Sequence, residues 1–80
     1  MTAVVEIDAR GHRCPTPSLK LARALRDGPP GGLYRLLATD PMARIDVPFL
    51  MQDLGGEVLD VTESDGVLTI TVRSRAAPEA

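Results

Sequence analysis

Eighty residues carrying a formal net charge of −2 make one domain and leave no room for a second core. Tyr34 and Phe49 are the only members of the Phe, Tyr and Trp group, so the core must be aliphatic, and base-stacking platforms for single-stranded nucleic acid are missing. One cysteine excludes an internal disulfide framework and fits a reducing compartment, and nothing approaches the roughly 18 consecutive apolar residues of a membrane span.

The opening stretch, Met1 to Arg10, holds acids at Glu6 and Asp8 and no long apolar run. It is read as a strand over Ala3 to Ala9, rich in β-branched residues, and not as a secretory signal; the cytoplasm is the expected compartment. Gly11 supplies the corner of a loop over Arg10 to Arg13. Pro15 and Pro17 then open a helix predicted over residues 15–27, because a proline in the first turn lacks only an N–H that has no intrahelical partner anyway. Leu21, Ala22 and Leu25 form its buried stripe with Ser18 at the start, while Lys20, Arg23 and Asp27 fall on an outer face. Gly28-Pro29-Pro30-Gly31-Gly32 stops it.

Leu33 to Thr39 is nearly all apolar, as expected of a strand in the middle of a sheet, and Asp40-Pro41 breaks it. Pro48 cannot sit deep inside a helix, so the second helix is predicted over residues 46–54, with Asp46 as N-cap and Val47 and Pro48 in the first turn. Val47, Leu50, Met51 and Leu54 are its apolar stripe; Met42 to Ile45 then form an irregular or single-turn lead-in. After Gly55-Gly56, two strands over Glu57 to Glu63 and Val67 to Arg73 flank Ser64-Asp65-Gly66, where Asp-Gly is a strong hairpin signal. Leu68, Ile70 and Val72 alternate with Thr69, Thr71 and Arg73, which gives one buried and one wet face. A single domain over residues 1–75 followed by a tail over 76–80 is expected.

The order β-α-β-α-β-β predicts an α/β (α+β) two-layer sandwich: a four-stranded mixed sheet with both helices on one face. The first two strands are expected to run parallel through a right-handed crossover, and the last two antiparallel. Parallel neighbours would bring the loop carrying Cys14 and the loop carrying Asp40-Pro41 to one sheet edge, the edge that ligand sites in such sheets favour.

Cys14 is placed as N-cap of the first helix. Because Pro15 and Pro17 donate nothing, the free donors of that turn are the N–H groups of Thr16 and Ser18, which with the helix dipole would stabilise an anion on the sulfur. Arg13 and His12 add positive charge, and such surroundings lower a thiol pKa below its free value of about 8.5. The plainer reading of a lone cysteine is a small buried hydrophobe. His12 is read as a proton shuttle or as a loop bystander. Asp40 and Asp46 are read as an acid pair near the thiol or, better, as caps. Arg44 is read as a solvated side chain or a binding residue. One Cys and one His cannot fill a zinc site, and the Gly-Gly pairs lack a phosphate-loop context, so neither metal nor cofactor is expected. Arg10, Arg13, Lys20, Arg23 and Arg26 follow one another with no acid between them, enclosing the cysteine, and six acids from Asp46 to Asp65 follow with no base. They are two solvated faces, or a positive collar that meets acidic partners.

The run Ile7-Asp8-Ala9-Arg10-Gly11-His12-Arg13-Cys14-Pro15-Thr16-Pro17 resembles the opening of the TusA/SirA-like sulfur-carrier family, whose hallmark is a Cys-Pro-x-Pro box after an Asp-x-x-Gly loop. The resemblance continues through Pro29-Pro30-Gly31, Ala38-Thr39-Asp40-Pro41, Arg44-Ile45-Asp46-Val47-Pro48 and the Asp65-Gly66 turn. It implies a two-layer sandwich and a cysteine, Cys14, that accepts sulfane sulfur as a persulfide within the frame of Pro15 and Pro17. It also implies a cysteine desulfurase or rhodanese-like donor. The implied acceptors are proteins of tRNA thiolation, molybdenum-cofactor maturation or sulfur oxidation. His12 stands where the family usually has an apolar residue, and no second cysteine follows Pro48, so an internal partner thiol is excluded. A monomeric sulfurtransferase-type carrier without direct nucleic-acid or membrane binding is expected. The alternative is a protein-binding or regulatory module in which the cysteine is structural.

Overall fold

A computed structural model describes residues 4–12 and 16–75. Along the chain these form β1 (Val4–Ala9), α1 (Thr16–Asp27), β2 (Leu33–Ala38), α2 (Ala43–Leu54), β3 (Glu57–Ser64) and β4 (Val67–Arg73). The tail expected from residue 76 lies outside the described residues.

Period-two patterning in β2 and β4 builds the core. Tyr34, Leu36 and Ala38 face the same side as Val72, Ile70 and Leu68, their partners across the antiparallel ladder, and all six are buried. β1 joins the other side of β2 in parallel, β3 pairs antiparallel with β4, and the order across the sheet is β1-β2-β4-β3. Leu21 of α1 and Ala43, Val47 and Met51 of α2 complete the same cluster, so both helices cover one face. On the bare face, strand register lines up Glu6, Arg35, Thr71 and Asp60 in a row, with Arg35 Nη1 3.9 Å from Glu6 Oε2. Asp65 and Gly66 both take positive φ (52° and 80°), the two-residue loop that Asp-Gly favours between strands. Among the described residues no helix is long and apolar enough to cross a membrane.

Three local expectations need correction. Asp46 is not the N-cap of α2, and Met42 to Ile45 are not an irregular lead-in, because the helix starts one turn earlier. Met42 is the N-cap, without a side-chain cap bond, and Asp40 caps the turn that leads into it. Asp40 Oδ1 accepts from the Met42 N–H at 2.9 Å and the Asp40 carbonyl from the Ala43 N–H at 3.1 Å. A tight turn follows, with Arg44 and Ile45 bonded three residues back and Asp46 four. Pro48 therefore lies inside the helix, where it removes a bond to the Arg44 carbonyl at a cost of about 3 kcal/mol. The offset is burial on the Ala43, Val47, Met51 stripe, in which the valine alone is worth about 2 kcal/mol.

The stripes also shift. On α1, Ala24 and not Ala22 joins Leu21 and Leu25 against the core, as three- and four-residue spacing from Leu21 dictates, and Ala22 turns aside. On α2, Leu54 is exposed. In β3 the pairing skips Leu59, a bulge that lets Val58 and Val61 both pack on the core although two residues separate them.

Candidate functional site

The last pair in the parallel ladder is Ala9 with Ala38, both fully buried, so the chain leaves β1 and β2 at the same edge. From β1 it turns at once: the His12 N–H donates to the Ala9 carbonyl at 3.3 Å, with Gly11 in the third turn position at φ 82°, a conformation that side-chain-bearing residues rarely adopt. The Gly11 N–H donates to Thr39 Oγ1 at 2.8 Å, tying the loop after β1 to the loop after β2. Three residues before Gly11, Asp8 fixes the approach. Its carboxylate accepts from the Arg10 guanidinium at 2.9 and 2.8 Å and from the Arg10 backbone N–H at 3.1 Å. These bonds hold the Asp8 carboxyl well below the usual carboxylate range and raise the pKa of Arg10.

Cys14, Arg13 and Pro15 lie outside the described residues, between His12 and the start of α1 at Thr16. The described part of that helix begins at Thr16, and the backbones of Thr16 and Pro17 belong to its start. Chain connectivity puts the first turn of α2 at the same edge, because only four residues separate Ala38 from Ala43. The first turns of two helices therefore lie beside the tethered loops, and in α2 the N–H groups of Met42 to Asp46 are already bonded to Asp40, Pro41 and Met42.

The remaining candidates divide. His12 is exposed, and no acid partner holds its ring among the described residues. Asp40 caps the turn that leads into α2. Arg44 is neither free nor aimed at an acid pair: its Nη2 donates to Glu63 Oε1 at 2.8 Å, joining the start of α2 to the end of β3. Asp46 sits in the first turn of α2. The basic block is likewise not a uniform collar, since Arg10 is neutralised by Asp8 and Arg26 Nε lies 3.3 Å from Asp27 Oδ1.

Ser18 Oγ is buried and has no hydrogen-bond partner among the described residues. A buried orphan hydroxyl costs about 1–3 kcal/mol, and alanine is also the better helix former. Ser18→Ala is therefore expected to raise unfolding free energy by about 1 kcal/mol in urea titration; a fall of that size would mean that the hydroxyl is satisfied.

Neither Thr39 nor Asp8 is among the site residues expected from the sequence, although both shape the edge. Asp8 had a local signal, an aspartate placed two residues before a backbone N–H it can bind. Thr39 had none. Thr39→Val keeps the shape of the side chain and removes the tether, so the urea midpoint should drop by the equivalent of about 1 kcal/mol with an unchanged slope. An unchanged midpoint would make the 2.8 Å contact incidental. Also unforeseen is an exposed apolar stripe on α2 that leads away from this edge: Met42, Ile45 and Phe49 are 48%, 54% and 72% exposed.

The model of the family described as "Sulfurtransferase TusA" matches residues 5–74. The sulfur carrier protein TusA of Pseudomonas fluorescens is 39% identical over 70 residues, covering 88% of this chain and 84% of that one. The protein of the same name from Pseudomonas syringae is 36% identical over 76 residues, covering 95% and 90%. A crystal structure of a SirA-like protein from Desulfitobacterium hafniense superimposes with a TM-score of 0.78 at 27% identity, covering 91% of this chain and 99% of that one. Sequence relatives, family model and fold thus agree with the Cys-Pro-x-Pro box and the tethered edge beside it: the chain belongs to the TusA sulfurtransferase family.

Proposed function

We propose that this protein carries sulfane sulfur as a persulfide on Cys14 and relays it between proteins. The observation that carries the reading is the edge itself. The segment that includes Cys14 connects a loop tied down by Thr39 to the first turn of α1, beside the first turn of α2. An anionic sulfur held there gains from the N–H groups of Thr16 and Ser18 and from both helix dipoles, and the same contacts favour thiolate over thiol at Cys14.

The chemistry is thiol exchange. The Cys14 thiolate attacks the outer sulfur of a donor persulfide; the donor's S–S bond breaks, its thiolate leaves with the electron pair, and a new S–S bond forms on Cys14. Delivery repeats the step with Cys14 as leaving group, so no external oxidant or reductant is consumed. A low thiol pKa serves both directions, because it raises the thiolate fraction on loading and improves the leaving group on delivery. The donor is a cysteine desulfurase or rhodanese-like protein and the acceptor is another protein thiol.

Loading is read by intact mass. Incubation with a desulfurase and cysteine should add one sulfur atom, removed again by reductant. A thiol that alkylates readily yet gains no sulfur from any desulfurase or rhodanese donor would refute the carrier reading and leave the binding module.

A further inference from the structure

On the helical face, away from the edge that bears the Cys14 segment, the second halves of α1 and α2 enclose a groove of about 720 Å³. Its walls are apolar: Leu19, Ala22 and Leu25 from α1, Met51 and Leu54 from α2. Leu19 and Leu54 are exposed, although both could have been spared by a polar residue. Three arginines rim it, Arg23 and Arg26 from α1 and Arg75 from the chain beyond β4, and no lining side chain is acidic. Arg75 is positioned by the fold. Its carbonyl accepts from the Gly31 N–H at 3.0 Å, and its side chain runs across the end of α2, with Cδ 3.1 Å from the point a Cβ on Gly55 would occupy.

The charge of this groove runs against that of the molecule. The chain as a whole is at −2, yet this groove presents three guanidinium groups, of which, among the described residues, only Arg26 has a carboxylate beside it, Asp27, in an exposed and weak pair. A groove between two helices with leucine walls and a cationic rim is complementary to an amphipathic helix with apolar anchors at i, i+3, i+4 and i+7 and Asp or Glu flanking them.

We infer that this groove is a docking site for an acidic amphipathic helix of a partner protein. It lies toward the edge formed by Gly28 to Gly32 and Ser74, opposite the tethered loops, so a bound helix leaves the Cys14 edge open. The inference does not depend on the sulfur reading: docking could hold with an inert cysteine, and sulfur transfer could hold with an empty groove.

The test uses the whole ¹⁵N-labelled protein and three probes. The first is a synthetic helical peptide with Leu at i, i+3, i+4 and i+7 and Glu on its flanks; the second has Lys at every Glu position; the third is sodium laurate. The Glu peptide should shift amides within Leu19–Arg26, Met51–Leu54 and Ser74–Arg75 while those of Gly11 and Thr39 stay put. Its affinity should fall about tenfold or more in the Arg23→Glu/Arg75→Glu variant and weaken with added salt. The spectrum of the variant without peptide reports whether it is folded. Equal binding of the Lys peptide, shifts confined to other surfaces, or an unaltered affinity in a folded variant would each overturn the proposal. Binding of laurate alone in the groove would overturn it too, by making the site one for small anionic amphiphiles.

Discussion

Replacing Cys14 with serine leaves a folded protein that takes up no sulfur. Serine is a good N-cap, so it can bond the first-turn N–H groups at the start of α1. Its hydroxyl, unlike a thiol, is neither ionised near neutrality nor able to form a stable bond to sulfane sulfur. As no other thiol exists in the chain, the loss is complete rather than partial. Intact mass after incubation with a desulfurase and cysteine reads the outcome, with a thermal melt in parallel. The melting temperature should move by no more than a few degrees, which corresponds to less than about 1 kcal/mol in a domain of this size. Sulfur on the folded serine variant would remove Cys14 from its proposed role.

Gly56→Ala is expected to be a strongly damaging change in the turn between α2 and β3. A Cβ at Gly56 would lie 2.5 Å from the carbonyl oxygen of Arg73 and would collide with the Cε of Met51. The methionine can rotate; the carbonyl cannot, because Arg73 is held between Leu33 and Glu57 in the sheet. Relief requires moving the start of β3 away from the end of β4. Overpacking of this kind costs about 3 kcal/mol, a large share of the 5–15 kcal/mol that holds a small domain folded. Urea unfolding of Gly56→Ala should show the midpoint fall accordingly, with Gln52→Ala on the exposed side of α2 staying within about 0.5 kcal/mol as control. A midpoint shared with the unsubstituted protein would mean that β3 can shift at no cost.

The strands were legible because alternation on β2 and β4 is strict and the Asp65-Gly66 turn has one natural conformation. The start of α2 was not, because the rule that excludes proline from a helix is local, while the force that overrides it, burial of Ala43 and Val47 against the sheet, is tertiary. Ala22 and Ala24 could not be told apart from the sequence, since both are small and apolar and only the direction of Leu21 decides between them. The bulge at Leu59 left no composition signal. At the site, two prolines and the parallel topology pointed to the edge bearing Cys14. The contact that builds that edge joins Gly11 to Thr39, 28 residues apart, which no short pattern reveals. Counting bases without acids between them also concealed Asp8, which stands just outside the block and neutralises its first member.

The strand order carries a consequence for the timing of folding. β2 lies between β1, made before it, and β4, the last described strand to be synthesised. By the time Leu54 leaves the ribosome, every residue of the tethered edge has emerged, along with both helices. Yet Leu36 and Ala38 still lack Ile70 and Leu68 beside them, and Arg44 lacks Glu63. The β3–β4 hairpin closes locally and fast, but its docking on β2 bridges about thirty residues and sets the pace. Nascent chains short of Val67 thus hold all the residues of the tethered edge without the strand that backs β2, so that edge gains its full support only with completion of the sheet.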